Sequence, residues 1–407
     1  MFFLIQGAIV GSFVLGVFYT VSIYSELNPQ KAVVSEITKQ EDSSSPEGFH
    51  KFTSVGNNSV LFFLDRAVGV ALGQVLDYKP ELNKKFDGFI WYPNTISFAN
   101  FTVSGMAAVF GGYDYSVTEI NKRTDQGLEE KINEAYSLLP KLFGESGNRV
   151  YITDPPIADS RTIPATTFFN NIENVRSLNI NDYFVHRYMN EFPQEAERAV
   201  ESFDFDILFR YGVFRIAPPA LRYALYYNGK WWRDGRSNSY ERALSNFSTL
   251  YYLQDICSID DGPDTLNIFM NETTHDDDAF TSALRPAPGA VQYSDEEETL
   301  FDGTNALSYM YAYTASLDAI VVWLEYLKKN NIYDNTRIII VSDHGREIKN
   351  SLFQDKGMER FNPLLLVKDR YMRGDLAISN DFMTNGDPLI IAASDFENPV
   401  NPYLGNS

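Results

Sequence analysis

The ten residues Thr336-Arg-Ile-Ile-Ile-Val-Ser-Asp-His-Gly345 decide how the rest of the chain is read. The consecutive β-branched residues Ile338 to Val341 predict a strand buried on both faces, and Asp343, His344 and Gly345 put an acid, an imidazole and a chain break at its C-terminal end. In open α/β sheets that edge is where ligands bind. Taken alone, Asp-His-Gly after a strand reads as a polar turn. A chemical reading depends on what other strands deliver beside it.

Working outward, Leu317, Ile320, Val321, Leu324 and Leu327 recur at i, i+3, i+4 spacing and predict an amphipathic helix over about 308–330 that feeds the strand. Asn362 to Lys368 predicts a further strand, and the tail from about Ala377 reads as helix and loop. Far upstream, Ser59-Val-Leu-Phe-Phe-Leu predicts a second buried strand, ending in Asp65. Parallel strands in one sheet would bring Asp65 and Asp343 to a common edge. Asp264 to Met270 predicts a third strand of this kind, leading to His275. A helix is expected over about 121–144, and Asn148 to Thr153 predicts a strand stopped by Pro155 and Pro156.

Thr102 opens a run rich in small residues, Thr-Val-Ser-Gly-Met-Ala-Ala, which predicts a helix with a hydroxyl and unpaired N–H groups at its start. The bland reading of Thr102 is an ordinary helix cap. Thr95 is a rival nucleophile without a following small-residue helix, and His186, alone among Tyr and Arg, reads as structural. Asp65, His275, Asp343, His344 and Thr102 together suit one hard to borderline divalent cation beside a hydroxyl nucleophile able to attack phosphorus or sulfur.

The chain carries 34 basic against 54 acidic residues, a formal charge of −20, and no Lys/Arg run, which argues against a nucleic-acid partner. An anionic substrate therefore needs local cations or a metal. Hydrophobic residues make up 44% of the chain, enough for a large α/β core, and with Cys257 the single cysteine, stability rests on packing. The uncharged opening, residues 1–25, predicts a transmembrane anchor, with a cleaved signal peptide as its rival. Polar residues 26–56 read as a linker, and 57–407 as the catalytic domain. Lys31 and Lys39 after the span weakly favour a cytoplasmic body.

The combined motifs resemble the alkaline phosphatase/sulfatase superfamily, in its bacterial membrane-anchored sulfatase-like branch of lipoteichoic acid synthases and phosphoglycerol or phosphoethanolamine transferases. The resemblance rests on Asp65 after Val60-Leu-Phe-Phe-Leu, on Thr102 before Val-Ser-Gly-Met-Ala-Ala, on Ser342-Asp-His-Gly345, and on Thr273-Thr-His275, and it runs from about Asn57 to Lys368. It implies a mixed, mostly parallel sheet flanked by helices, and one divalent metal held by Asp65, Thr102, Asp343 and His344. Manganese is the first choice, with zinc, magnesium or calcium as alternatives. It also implies Thr102 as nucleophile, His275 on the substrate side, a membrane lipid donor, an envelope glycan or glycerol-type acceptor, and a catalytic domain outside the cell membrane.

Departures from the family pattern narrow the chemistry. Cys257 is followed by Ser-Ile-Asp-Asp, which is not a formylglycine sulfatase motif, and four histidines are too few for a two-metal phosphatase. Phospho-group transfer remains. Hydrolysis on the same residues and a catalytically inactive tethered binding domain are the alternatives.

Overall fold

The computed structural model describes residues 45–156, 166–193, 213–215, 217–225, 239–275, 280–287, 291–304, 306–348 and 357–405. Residues 1–44, with the span expected over 1–25, lie outside them. Among the described residues no helix is long and apolar enough to cross a membrane.

An eight-stranded sheet organises the unit that runs from Glu47 to Ser407. Its spatial order is β11 (Ala377–Ile378), β3 (Phe89–Trp91), β10 (Leu365–Lys368), β9 (Thr336–Val341), β2 (Asn58–Leu64), β8 (Thr265–Asn271), β5 (Arg149–Thr153) and β6 (Val175–Leu178). From β9 to β6 the strands run parallel, whereas β10 is antiparallel to both β9 and β3. The sheet is thus mixed and mostly parallel, as expected.

The apolar strands have no polar face because each is covered twice. Along β2, Val60, Phe62 and Leu64 enter one core while Leu61 and Phe63 enter the other, and β9 divides Ile338 and Ile340 from Ile339 and Val341 in the same way. The larger core holds the Leu307–Lys329 helix, whose Trp323 is fully buried against Phe52, Phe62 and Phe269. That helix closes on Lys328 and Lys329, cations suited to its C-terminal dipole. The opposite core is roofed by the helices Thr102–Gly111, Leu128–Glu145 and Asp387–Ala392.

Three expectations are corrected. The stretch 47–56, read as linker for its polar composition, belongs to the fold: β1 (His50–Thr53) pairs in parallel with β7 (Cys257–Asp260), and His50 is wholly buried. Its imidazole polarity is absorbed by Asn267 Oδ1 at 3.0 Å and Thr153 Oγ1 at 3.1 Å, and its ring stacks on Phe269. The helix expected over 121–144 is two helices, Val117–Lys122 and Leu128–Glu145. Gly127 starts the second, and Lys131 Nζ caps the first by donating to the carbonyls of Ile120 and Arg123. The tail adds two short strands, β11 on the sheet and β12 (Met383–Thr384), which pairs with β4 (Thr95–Ile96).

Candidate functional site

Strand register brings the site together. β2 lies between β9 and β8, with Phe63 opposite Val341 and Leu64 opposite Asn271, so the residues following these three strands emerge at one edge. Asp65 N donates to the Asn271 carbonyl, and Thr274 Oγ1 donates to the Asp65 carbonyl at 2.6 Å. Asp65, Asp343 and His344, spread over more than 270 residues of chain, offer ligand atoms within 4.8 Å of one another, and all three are buried.

The Thr102–Gly111 helix aims its first residue at this group. Thr102 Oγ1 lies 3.5 Å from His344 Nε2. The approach depends on Gly105, where a Cβ would sit 2.8 Å from the Asp343 carbonyl oxygen. Gly345 is equally constrained: a Cβ there would overlap the Glu359 carbonyl oxygen. Asn385, fully buried, locks the two segments to each other. Its amide donates to the carbonyls of Gly105 at 2.9 Å and Asp343 at 2.8 Å, and to Ser97 Oγ, which itself donates to the Asp343 carbonyl at 2.7 Å.

The protonation states are set by burial. His344 Nδ1 lies 2.6 Å from the Gly345 carbonyl oxygen, and its Nε2 faces Thr102 and Asp343 Oδ2, which is 3.4 Å away. Burial raises the pKa of Asp65 well above the usual carboxylate value, with Asp343 and Glu272 adding repulsion, and burial raises Asp343 as well. Asp343 Oδ1 accepts the Arg66 N–H at 3.2 Å, whereas Asp65 Oδ1 and Asp343 Oδ2 are buried with no hydrogen-bond partner. Two orphaned carboxylate oxygens, an imidazole nitrogen and a hydroxyl form a hard to borderline donor set that fits a divalent cation.

His275 sits in the turn after β8. Its carbonyl accepts Arg66 Nη1 at 2.8 Å, and its ring is held down to about 4 by burial and then by the fields of Arg66, Arg242, His344 and Arg346. It is therefore neutral near pH 7 in the resting site. These arginines place positive charge around His275 in a chain whose net charge is −20. The guanidinium of Arg346 lies over the Tyr309 ring at 4.7 Å, and Tyr309 Oη in turn donates to the Arg66 carbonyl at 3.2 Å.

No protein-family model matches the chain, and no curated protein matches it. Solved structures do resemble it. The chain is similar to the lipoteichoic acid synthase LtaP from Listeria monocytogenes, with 9% identity and a TM-score of 0.42 over 86% of this chain and 73% of that one. It is similar to the phosphonate monoester hydrolase from Silicibacter pomeroyi, with 13% identity and a TM-score of 0.45 over 86% and 76%. It is also similar to the C-terminal periplasmic domain of EptC from Escherichia coli in complex with zinc, with 10% identity and a TM-score of 0.42 over 84% and 82%.

Other candidates separate from the site. Thr95 is buried and its hydroxyl donates to the Tyr92 carbonyl at 2.6 Å. Cys257 donates its thiol to the Leu253 carbonyl and is pushed up to about 12 by burial, an inert core position. His186 is exposed beside a surface hollow with Tyr183 and Arg187. Sequence reasoning missed Arg66, Ser97 and Asn385. Arg66 was readable as the cation after Asp65. Ser97 and Asn385 act through buried backbone contacts that no linear pattern announces.

Proposed function

We propose that this chain transfers a phospho-group of the phosphoglycerol or phosphoethanolamine type from a membrane lipid to an envelope acceptor through a phospho-threonine at Thr102. The observation that carries this is the Thr102 hydroxyl at the start of a helix, 3.5 Å from His344 Nε2, beside the buried, orphaned oxygens of Asp65 and Asp343. Asp65, Asp343, His344 and Thr102 would hold one divalent cation, manganese in the first instance, with zinc, magnesium or calcium as alternatives. A bound cation lowers the pKa of the threonine hydroxyl and shields the charge of the phospho-group.

Thr102 Oγ1 gives up its proton to water and attacks phosphorus, and the bond to the lipid alcohol breaks. The N–H groups of the first helical turn, which have no intrahelical acceptor, lie where the non-bridging oxygens gather charge. Arg66, Arg242 and Arg346 attract the anionic group. The bound anion counters the arginine field and draws a proton from water onto His275, which passes it to the leaving alcohol. A second hydroxyl then attacks phosphorus and frees Thr102. A lipid donor and an envelope acceptor put the domain outside the membrane, with the opening segment as its anchor.

The test is mass spectrometry of the full chain after incubation with lipid extract and metal. A phosphoglycerol or phosphoethanolamine adduct on Thr102 is expected, decaying faster when a glycerol acceptor is added. Full turnover of a phosphodiester by Thr102→Ala would refute the reading, and release to water unaffected by any acceptor would replace transfer with hydrolysis.

A further inference from the structure

The Asp343 carbonyl belongs to the peptide that joins Asp343 to His344. A peptide unit is planar, so a group that grips this oxygen orients the plane from whose two ends both side chains spring. Asn385 Nδ2 donates to it at 2.8 Å. The same nitrogen donates at 2.9 Å to the carbonyl of Gly105, which lies about one helical turn beyond Thr102. Two carbonyls bound to one amide nitrogen are held at one separation. The turn that carries the Thr102 hydroxyl is thereby tied to the peptide that carries Asp343 and His344.

The amide itself is anchored. Asn385 is fully buried, its Oδ1 accepts the Phe98 N–H at 3.2 Å, and its backbone N–H donates to the Ile96 carbonyl at 3.0 Å beside the β4–β12 pair. Carbonyl oxygens only accept and a backbone N–H only donates, so these neighbours fix which end of the amide is nitrogen. Ser97 Oγ, 3.2 Å from Nδ2, donates to the same Asp343 carbonyl at 2.7 Å. That oxygen therefore takes two donors from segments remote from it in sequence.

We infer that Asn385 is a positioning residue that registers Thr102 to the Asp343–His344 pair, with Ser97 in support. It acts through Gly105 and Asp343 rather than on the reacting atoms. This rests on the proposed roles of Thr102, Asp343 and His344, and adds to them a group from the tail of the chain.

The experiment takes two readouts from the full chain. In turnover of bis(4-nitrophenyl) phosphate with manganese, Asn385→Ala is expected to lose about a hundredfold in kcat, with KM within about threefold of wild type. Asn58→Ala is the structural comparison. Asn58 is as buried and makes three side-chain hydrogen bonds, to Thr53 and Thr265, at the start of β2, the far end of that strand from Asp65. It should lose stability and keep kcat. The second readout is calorimetric titration of the metal-free chain with manganese. Thr102→Ala should weaken binding about tenfold in the wild-type background and less than about twofold in Asn385→Ala, because a helix out of register no longer offers its hydroxyl. Equal losses in the two backgrounds, or an Asn385→Ala kcat no lower than that of Asn58→Ala, overturn the inference. If Asn385→Ala does not fold, Ser97→Ala carries both measurements, with smaller losses expected and the same results overturning. A wild-type chain that turns over no phosphodiester refutes the proposed function and leaves the titration to decide the positioning role. Manganese binding that Thr102→Ala leaves unchanged in the wild-type background overturns both.

Discussion

Gly105 shows how one missing side chain can set the site. The Thr102 hydroxyl reaches His344 because the helix behind it rests directly on the Asp343 backbone, with no room for a methyl group. Gly105→Ala would improve helix propensity by about 1 kcal/mol, yet it must push the helix off Asp343. A shift of even a fraction of an ångström would misalign the proposed nucleophile and its proposed metal ligands. The expected outcome is a loss of kcat of about a hundredfold with a melting temperature within a few degrees of wild type, measured by phosphodiester turnover and calorimetry. Wild-type kcat in that variant would show that the close approach is incidental. Gly105 stood in the quoted motif as one small residue among several. What singles it out is the partner across the contact, 238 positions away in the chain, which no local pattern reveals.

At the scale of elements, β1 is the clearest departure from sequence expectation. Its four residues, His-Lys-Phe-Thr, look polar, and three of them are buried. His50 is held neutral, its pKa lowered to about 3 by burial, against an ordinary value of 6.5. Below pH 6.5 the unfolded chain takes up a proton that the folded one refuses, so stability falls as the pH drops toward 3, by about 1.4 kcal/mol per pH unit from this group. Urea unfolding followed from pH 7 to pH 4 should show this slope. His50→Gln, which keeps hydrogen-bonding capacity without a titrating ring, should flatten it, and an equally steep slope in that variant would place the acid sensitivity elsewhere. The long elements were legible for the opposite reason. β2, β8, β9 and the Leu307–Lys329 helix carry their burial on their own faces, so periodicity alone reports them.

For the whole molecule, the crowding of buried acids at the strand ends predicts a dependence of stability on metal. Asp65 and Asp343 repel each other and leave oxygens unpaired, so a cation there should stabilise the fold as well as serve catalysis. At a hundredfold excess over Kd the gain is about 2.7 kcal/mol, worth a few degrees in a chain of this size. Chelation should lower the melting temperature by that amount and abolish turnover, with both restored by a divalent ion. Loss of activity on chelation without any thermal shift would indicate that the ion reaches the enzyme with substrate. The metal that restores both most effectively at the lowest concentration identifies the working ion.

Linear patterning was enough to place Asp65, Asp343 and His344 at the ends of core strands, because a strand covered on both faces must be apolar throughout and polar where it ends. The same patterning exposed Thr102 at a helix start, and the Ser-Ile-Asp-Asp after Cys257 departs from a formylglycine sulfatase motif. Register was beyond its reach. That β2 lies between β8 and β9, so that three strand ends meet, follows from pairings between segments some two hundred residues apart or more, and so does the Asn385 amide that ties the helix to Asp343. Composition misjudged 47–56 because its polar groups are satisfied by distant partners, Asn267 and Thr153 for His50. Local sequence states what each segment needs; only the tertiary structure decides which remote group supplies it, because hydrogen bonds and close packing act through space and take no account of separation along the chain.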